Sequence, residues 1–280
     1  MSKIKHPIMR YHGSKFRLAS WIISHFPEHT CYVEPFGGSG AVLIQKPKSY
    51  SEVYNDLDDD VVNLFRVLRD KKSNAELREL CVLTPYSRKE FELAFEPSDN
   101  PIEKARRMVV RATMGFGSAA ATGGTSGFRT DTKRKYATAM HLWSRYPDNL
   151  AAVCERLESV LIENKPASSV MMKHDGIDTL QYLDPPYVHD KRVSGNRYYQ
   201  HEMTDCDHEE LLKVTIQLKS MVIISGYDSD LYNDYLAGFH KVTKQARISA
   251  GRGTGIRTEC LWLSPSCVDA LSSNGIKRAS

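Results

Sequence analysis

The segment Thr30-Cys-Tyr-Val-Glu-Pro-Phe-Gly-Gly-Ser-Gly40 decides the fold. Its first residues, up to Glu34, are β-prone, and a glycine-rich turn separates them from the apolar run Ala41-Val-Leu-Ile44. This order predicts a strand, a glycine turn and a helix. Glycines in such a turn let a ligand approach the backbone and meet the positive end of the helix. We therefore expect a ligand site at the end of this first strand.

The segments on either side extend the alternation of strand and helix. Residues 52–56 predict a second strand, and the apolar spacing over residues 57–68 is helical. Strand-like segments return at residues 160–163, 180–183, 221–225 and 260–263, with a predicted helix at residues 208–219. Alternation of this kind is typical of a doubly wound parallel sheet. The expected fold class is α/β, with a Rossmann-like sheet.

The middle of the chain interrupts this alternation. Residues 71–149 contain a predicted helix at 101–114, which begins with proline, and a glycine-rich loop at 115–132. We interpret residues 71–149 as an inserted, mainly helical segment that recognises the target. The catalytic domain would then consist of residues 1–70 and 150–280.

Composition limits the classes of protein that remain. The chain has 41% hydrophobic and 26% charged residues, no apolar run of membrane-spanning length and no secretory signal pattern. Its six cysteines form no CxxC pair, which argues against a disulfide scaffold and a zinc site. We expect a cytoplasmic protein without a metal.

Positive charge is concentrated in the insertion. The whole chain has a formal net charge of +4, whereas residues 101–135 contain eight basic and two acidic residues, a net charge of +6. A phosphate backbone would find its partners there; a solvated helix face beside a flexible loop is the alternative interpretation. The predicted DNA-binding residues are Arg111, Arg129, Lys133, Arg134 and Lys135, with Arg129 as the candidate that reads a base.

Asp184-Pro-Pro-Tyr187, directly after the predicted strand at 180–183, carries the chemistry. Consecutive prolines remove two N–H donors, so that the motif presents only acceptors, the Asp184 carboxylate and the Pro185 carbonyl. Two acceptors can hold the hydrogens of an adenine amino group and direct its lone pair towards a methyl donor. Tyr187 offers a face on which a flipped base can stack. A rigid loop after a strand is the alternative interpretation of the motif.

Asp56 follows the second predicted strand and is the candidate ribose ligand. An acid at this position can accept hydrogen bonds from both ribose hydroxyls of a cofactor that contains adenosine. Leu43 stands where the dinucleotide fingerprint requires glycine or alanine, which disfavours a nicotinamide cofactor. The alternative interpretation is that Asp56 caps the next helix.

These motifs, in this order, resemble the Dam-type DNA adenine methyltransferases. Tyr11-His-Gly-Ser-Lys15, Val33–Gly40, Asn55-Asp56 and Asp184–Tyr187 carry the resemblance, and Ser225-Gly-Tyr-Asp228 and Arg257–Trp262 add less specific segments. The resemblance implies that Lys15 lies towards the carboxylate of S-adenosylmethionine and that Asp175 accepts from its adenine. The implied cofactor-binding residues are Tyr11, Gly13, Lys15, Glu34, Pro35, Phe36, Gly38, Gly40, Asp56 and Asp175. The implied catalytic residues are Asp184, Pro185, Pro186 and Tyr187.

The resemblance implies site-specific methylation of adenine N6 in double-stranded DNA, with S-adenosylmethionine as the cofactor and a flipped target base, as in restriction-modification systems. Methylation of RNA adenine or of cytosine N4 stays open, because the same acceptors would serve either. A DNA-binding regulator with a silent methyltransferase fold is the alternative from another class. Methylation of protein glutamine would predict asparagine at position 184, where the chain has Asp184.

Overall fold

The structure, a computed structural model, describes residues 4, 6–116, 127–130, 132, 138–187, 201–250 and 253–278. Within these residues, the strands form one sheet in the order β3-β2-β1-β4-β5-β7-β6. The strands are β1 (Cys31–Glu34), β2 (Ser51–Asn55), β3 (Val160–Glu163), β4 (Thr179–Leu183), β5 (Met221–Gly226), β6 (His240–Ala250) and β7 (Gly253–Leu263). The pairs from β3 to β5 are parallel, and β7 is antiparallel to both of its neighbours. The predicted α/β class is confirmed.

Helices cover both faces of the sheet. They are α1 (Ala19–Ile23), α2 (Asp59–Arg69), α3 (Lys71–Leu83), α4 (Arg88–Leu93), α5 (Pro101–Met114), α6 (Ala139–Ser144), α7 (Tyr146–Leu157), α8 (Ala167–Lys173), α9 (Asp205–Thr215), α10 (Asp230–Tyr235) and α11 (Pro265–Arg278). Successive residues of β5 point to opposite faces of the sheet. Ile223 packs in the hydrophobic cluster on one face, and Val222 and Ile224 pack in the cluster on the other. A strand buried on both faces therefore reads as a continuous apolar run.

Helices α3 to α7 pack into the same hydrophobic cluster as the sheet. Leu77 of α3, Val109 of α5 and Leu150 of α7 share that cluster with Tyr32 and Tyr54 of the two first strands. These helices therefore cover one face of the sheet. Each helix within the described ranges is too short or too polar to span a lipid bilayer.

Local signals explain where the helices begin. The Asn100 side chain accepts from the backbone N–H groups of Ile102 and Glu103, and Pro101 occupies the first turn of α5. Asp58 caps α2 by accepting from the N–H groups of Asp60 and Val61. The capping interpretation of Asp56 is therefore wrong, because its neighbour takes that role.

Two predicted elements differ from the structure. Residues 41–46 form successive turns and no α-helix, although Ile44 N–H donates to the Gly40 carbonyl at 3.0 Å. Pro47 follows at once and disfavours helical geometry in the residue before it, so the segment is too short for a regular helix. β7 begins at Gly253, well before the predicted residue 260, and pairs along its whole length with β6, which was not predicted.

Candidate active site

A cavity of about 330 Å³ lies where the parallel strands end. Ligand sites of open α/β sheets occur at this edge. The N-terminal segment, the glycine turn after β1, the residues after β2, the Asp-Pro-Pro-Tyr motif after β4 and helix α9 contribute to its wall. Of the predicted residues, the cavity is lined by Tyr11, Gly13, Lys15, Glu34, Pro35, Phe36, Gly38, Asp56, Asp184 and Pro186.

The glycine turn has a conformation that requires glycine. Gly38 and Gly40 have φ angles of +49° and +59°, in the left-handed region that side chains with a Cβ atom rarely adopt. A Cβ atom on Gly40 would also lie 2.7 Å from the Phe65 ring. The turn therefore packs closely against α2 and leaves its outer backbone to the cavity. Pro35 belongs to the same turn, and its carbonyl accepts from Asn55 Nδ2 at 2.9 Å.

Asp56 lies at the cavity wall beside this turn. One of its oxygens accepts from Gly38 N–H at 2.7 Å and the other from Asp58 N–H at 2.9 Å. Desolvation raises the pKa of Asp56 to about 6, although the two backbone hydrogen bonds oppose this shift. These bonds orient the carboxylate beside the glycine turn, where a ligand hydroxyl can reach it.

Glu34, the last residue of β1, is buried and lines the cavity. Its Oε2 accepts from the Tyr32 hydroxyl at 2.9 Å and from Leu43 N–H at 3.0 Å. Desolvation raises the pKa of Glu34 to about 8, and the nearby negative charge of Asp184 adds to the shift. Through its two hydrogen bonds, Glu34 connects the first strand to the residues after the glycine turn.

Asp184 follows β4 and is held by two donors on the same oxygen. Its Oδ1 accepts from Ser225 Oγ at 2.8 Å and lies 2.9 Å from Lys15 Nζ. The described contacts leave Oδ2 of Asp184 to a substrate group. Pro185 is buried behind it, and Pro186 lines the cavity.

A cluster formed by Lys15, Asp184, Tyr187 and Glu259 joins three distant parts of the chain. Lys15 Nζ lies 3.4 Å from Glu259 Oε1 and 4.6 Å from the centroid of the Tyr187 ring. The Tyr187 hydroxyl donates to Glu259, and Tyr227 packs edge-on against the Tyr187 ring at 4.6 Å. Both Lys15 and Glu259 are almost completely buried. Lys15 Nζ also donates to the Gly13 carbonyl at 3.0 Å, so Lys15 links the segment predicted to bind the cofactor to Asp184. The role of Lys15 towards the cofactor carboxylate stays a prediction.

Sequence reasoning missed two residues of this cluster's surroundings, Ser225 and Glu259. Both lie in the two segments that resemble the family only weakly, and neither segment shows locally which side chain reaches Asp184. The two segments could therefore be recognised in the sequence, but the roles of Ser225 and Glu259 could not be predicted from it.

The structure does not bring Asp175 to the cavity. Asp175 precedes β4, at the opposite end of that strand from Asp184, and its Oδ1 accepts from Ser220 N–H at 2.9 Å and from Ser220 Oγ at 2.7 Å. Its position does not fit the expected cofactor role, because the two ends of one strand lie on opposite edges of the sheet. Pro166, Ala167 and Ser168, after β3, line the cavity, whereas Asp175 does not.

The predicted DNA-binding arginines that the structure describes point inwards. Arg111 Nη1 donates to the Ala94 carbonyl, and its guanidinium lies 5.8 Å from the centroid of the Phe95 ring. Arg129 is only 8% exposed, and its Nη1 is buried without a hydrogen-bond partner among the described residues. The predicted residues Lys133, Arg134 and Lys135 lie outside the described residues.

The glycine turn and Asp56 on the first two strands, with an acceptor motif after the fourth, define the class of Rossmann-fold methyltransferases that use S-adenosylmethionine. The sequence pattern of the D12 class of N6 adenine-specific DNA methyltransferases matches residues 11–249. The chain belongs to this family.

Similar proteins agree with this assignment. The DNA adenine methylase of Escherichia coli K12 is 22% identical over 263 residues, which cover 88% of this chain and 90% of that protein. The Type II methyltransferase M.MjaIII of Methanocaldococcus jannaschii is 23% identical over 84% of this chain and 89% of its own. A shorter match, 36% identical over 69 residues and 24% of each chain, is to the DNA adenine methylase of Haemophilus influenzae. The protein is a DNA adenine-N6 methyltransferase, which disfavours the alternatives of RNA or cytosine as substrate.

Proposed function

We propose that the cavity binds S-adenosylmethionine and that Asp184 to Tyr187 receive a flipped adenine from double-stranded DNA. The residues present fit the cofactor: Asp56 offers a fixed carboxylate to ribose hydroxyls, and the left-handed glycines expose backbone beside it. Phe36, Met203 and Leu211 supply an apolar wall. When bound, S-adenosylmethionine supplies a methyl group activated by a sulfonium.

The observation that carries the proposal is the arrangement of donors around Asp184. Ser225 and Lys15 both occupy Oδ1, so Oδ2 and the Pro185 carbonyl are the acceptors that can hold the two amino hydrogens of adenine. The lone pair of the amino nitrogen is then directed away from both acceptors. Oδ2 is also placed to take the proton that the methylated nitrogen loses. The enzyme contributes mainly orientation and electrostatics.

Lys15 and Glu259 have positioning roles in this proposal. Lys15 anchors Asp184, and Glu259 anchors both Lys15 and the hydroxyl of Tyr187, so that the aromatic ring is fixed beside the acceptors. We further propose that the insertion at residues 71–149 recognises the DNA sequence, with Arg129, Lys133, Arg134 and Lys135 as its candidate DNA contacts. Arg111 and Arg129 are the weaker candidates, because both side chains are largely buried.

Substitution of Asp184 tests the assignment. Asp184→Ala should abolish transfer of labelled methyl groups to an adenine-containing duplex, while S-adenosylmethionine affinity measured by calorimetry stays within a few-fold. In the matched variant Asp56→Ala, the affinity for S-adenosylmethionine should fall instead. The loss of binding free energy should be about 1.5 to 3 kcal/mol, because a charge-assisted acceptor is removed. An active Asp184→Ala enzyme would contradict the catalytic assignment, and unchanged donor affinity in Asp56→Ala would contradict the cofactor assignment.

A further inference from the structure

The β6–β7 hairpin is much longer than the strand beside it. β5 and β7 pair from Ile223↔Leu263 to Gly226↔Cys260, whereas β6 and β7 pair from His240↔Leu263 to Ala250↔Gly253. Residues 253–259 of β7 therefore continue beyond the last paired residue of β5. At about 3.4 Å per residue, this two-stranded ribbon extends the sheet by roughly 24 Å.

The ribbon starts at the catalytic edge. β7 is antiparallel to β5, so its extra residues continue past the end of β5 that lies beside Asp184. Glu259, the first residue beyond the paired part, contacts Tyr187 and Lys15. A base that enters the cavity must come from a duplex placed over this edge, and the ribbon stands beside that position.

The ribbon is rich in basic residues. Between residues 244 and 258 the sequence contains Lys244, Arg247, Arg252 and Arg257 and no acidic residue. Residues 243–245 of β6 and residues 256 and 258 of β7 are exposed to solvent. A surface of one charge sign that projects from the protein attracts a polyanion.

Register places two of these basic residues on the catalytic side. Lys244 lies directly opposite Glu259, and Arg257 lies two residues before Glu259 on the same strand. Opposed residues of an antiparallel pair, and alternate residues of a strand, share one face of the sheet. Lys244 Nζ lies 5.6 Å from the Trp21 ring centroid, and the Arg257 guanidinium lies 5.1 Å from that of Tyr227. The Trp21 ring positions the Lys244 ammonium without neutralising its charge.

We propose that the β6–β7 ribbon is a DNA-binding arm that contacts the phosphate backbone beside the flipped adenine. The major groove is about 12 Å wide and admits a two-stranded β-ribbon, and the ribbon is long enough to pass along a duplex placed over the cavity. The arm would hold the duplex through a part of the chain far in sequence from the insertion's candidate contacts. This inference rests on DNA as the substrate.

A shortened ribbon tests the proposal. Residues 246–257 are replaced by Asn-Gly, which joins the paired residues Gln245 and Thr258 through a two-residue turn and keeps Glu259. The variant lacks three arginines, and the slope of log affinity against log salt should fall by about 0.9 for each phosphate released, so the full reduction is about 2.7. Lys244→Ala, which leaves the hairpin intact, should reduce the slope by about 0.9. Donor affinity should stay within twofold in both variants.

Lys71→Ala is the matched control. Lys71 is 82% exposed and pairs with Glu158, which precedes β3 at the edge of the sheet opposite to the cavity. Removal of this charge should leave the salt slope unchanged. Titrations use the full-length protein and a duplex at several salt concentrations, with methyl transfer measured on the same duplex.

The outcomes separate this inference from the proposed function. If the parent methylates the duplex and both hairpin variants keep its salt slope, the DNA-binding arm is overturned and the function stands. A changed oligomeric state with an unchanged slope also overturns the arm, because the ribbon would then contact a second copy. If the parent neither binds nor methylates DNA, the proposed function fails and the inference fails with it.

Discussion

Helix α5 and the β6–β7 ribbon each contain four basic residues within about fifteen positions of sequence. The two regions differ in the partners that these basic residues have in the folded protein. In α5, Arg106 and Arg107 both bond Glu103, Arg111 donates to a backbone carbonyl, and Lys104 pairs with Asp60. In the ribbon, Lys244 is exposed and makes no ion pair with any residue that the structure describes. The basic residues of α5 are therefore engaged within the protein, whereas the charge of Lys244 in the ribbon is available to a ligand.

The comparison shows that a net charge counted along the sequence does not locate a DNA-binding surface. The count of +6 over residues 101–135 includes Arg106 and Arg107, although Arg106 bonds Glu90 as well, an acid outside the counted segment. Partners distant in sequence neutralise a charge as well as near ones do. What matters for DNA binding is the charge that stays exposed after folding.

The largest effect that this comparison predicts is on stability. Arg106→Ala should lower the free energy of unfolding by about 3 kcal/mol, because the buried guanidinium holds two carboxylates and the Thr84 hydroxyl. Chemical denaturation measures this value, and Arg66→Ala on the exposed side of α2 is the control, with a change of at most about 0.5 kcal/mol. A loss of DNA salt dependence in Arg106→Ala without a loss of stability would contradict the comparison.

The pH dependence of the same variant sharpens the prediction. Hydrogen bonding from Arg106 lowers the pKa of Glu103 below 4.5, its usual value. A carboxyl whose pKa is lowered by folding stabilises the protein above its unfolded pKa, and this contribution is lost as the pH falls through the folded value. The parent should therefore lose stability below about pH 4.5 more steeply than Arg106→Ala does.

The second prediction concerns the part of the insertion that lies outside the described residues. Replacement of Lys133, Arg134 and Lys135 together by alanine should reduce the salt slope of DNA binding by about 0.9 for each phosphate that is no longer bound, without an effect on donor affinity. Combination with Lys244→Ala should give additive reductions if the two regions hold the duplex independently. If the triple variant keeps the parental slope, these three basic residues do not contact the DNA phosphates. The ribbon would then supply the phosphate contacts, and the insertion would not.

The smallest effect is expected at Lys104. Its ammonium lies 3.1 Å from Asp60 Oδ1, and both side chains are partly exposed at 37% and 43%. Lys104→Ala should change the free energy of unfolding by less than about 1 kcal/mol, because exposed ion pairs contribute little. The salt slope should also stay at the parental value. A reduced slope would show that α5 supplies charge to DNA after all.

Local patterns predict most of the fold. The strands β1 to β5 and helix α5 follow from apolar runs, helical spacing and the proline at position 101, which act within a few neighbouring residues. The turns at residues 41–46 differ from the predicted helix because spacing alone does not include the effect of Pro47. The length of β6 and β7 could not be predicted because their polar residues pair with each other and carry no hydrophobic period.

The sequence by itself determined the class of chemistry. The glycine turn, Asp56 and Asp184 to Tyr187 are short local motifs, and their residue types alone indicate a ligand site and a set of hydrogen-bond acceptors. Only the tertiary structure decided which side chains meet. It brought Lys15 and Glu259 to Asp184, left Asp175 on the far edge of the sheet, and turned the arginines of α5 inwards. These contacts join residues far apart along the chain, and they depend on strand order and register, which arise only when the whole sheet assembles.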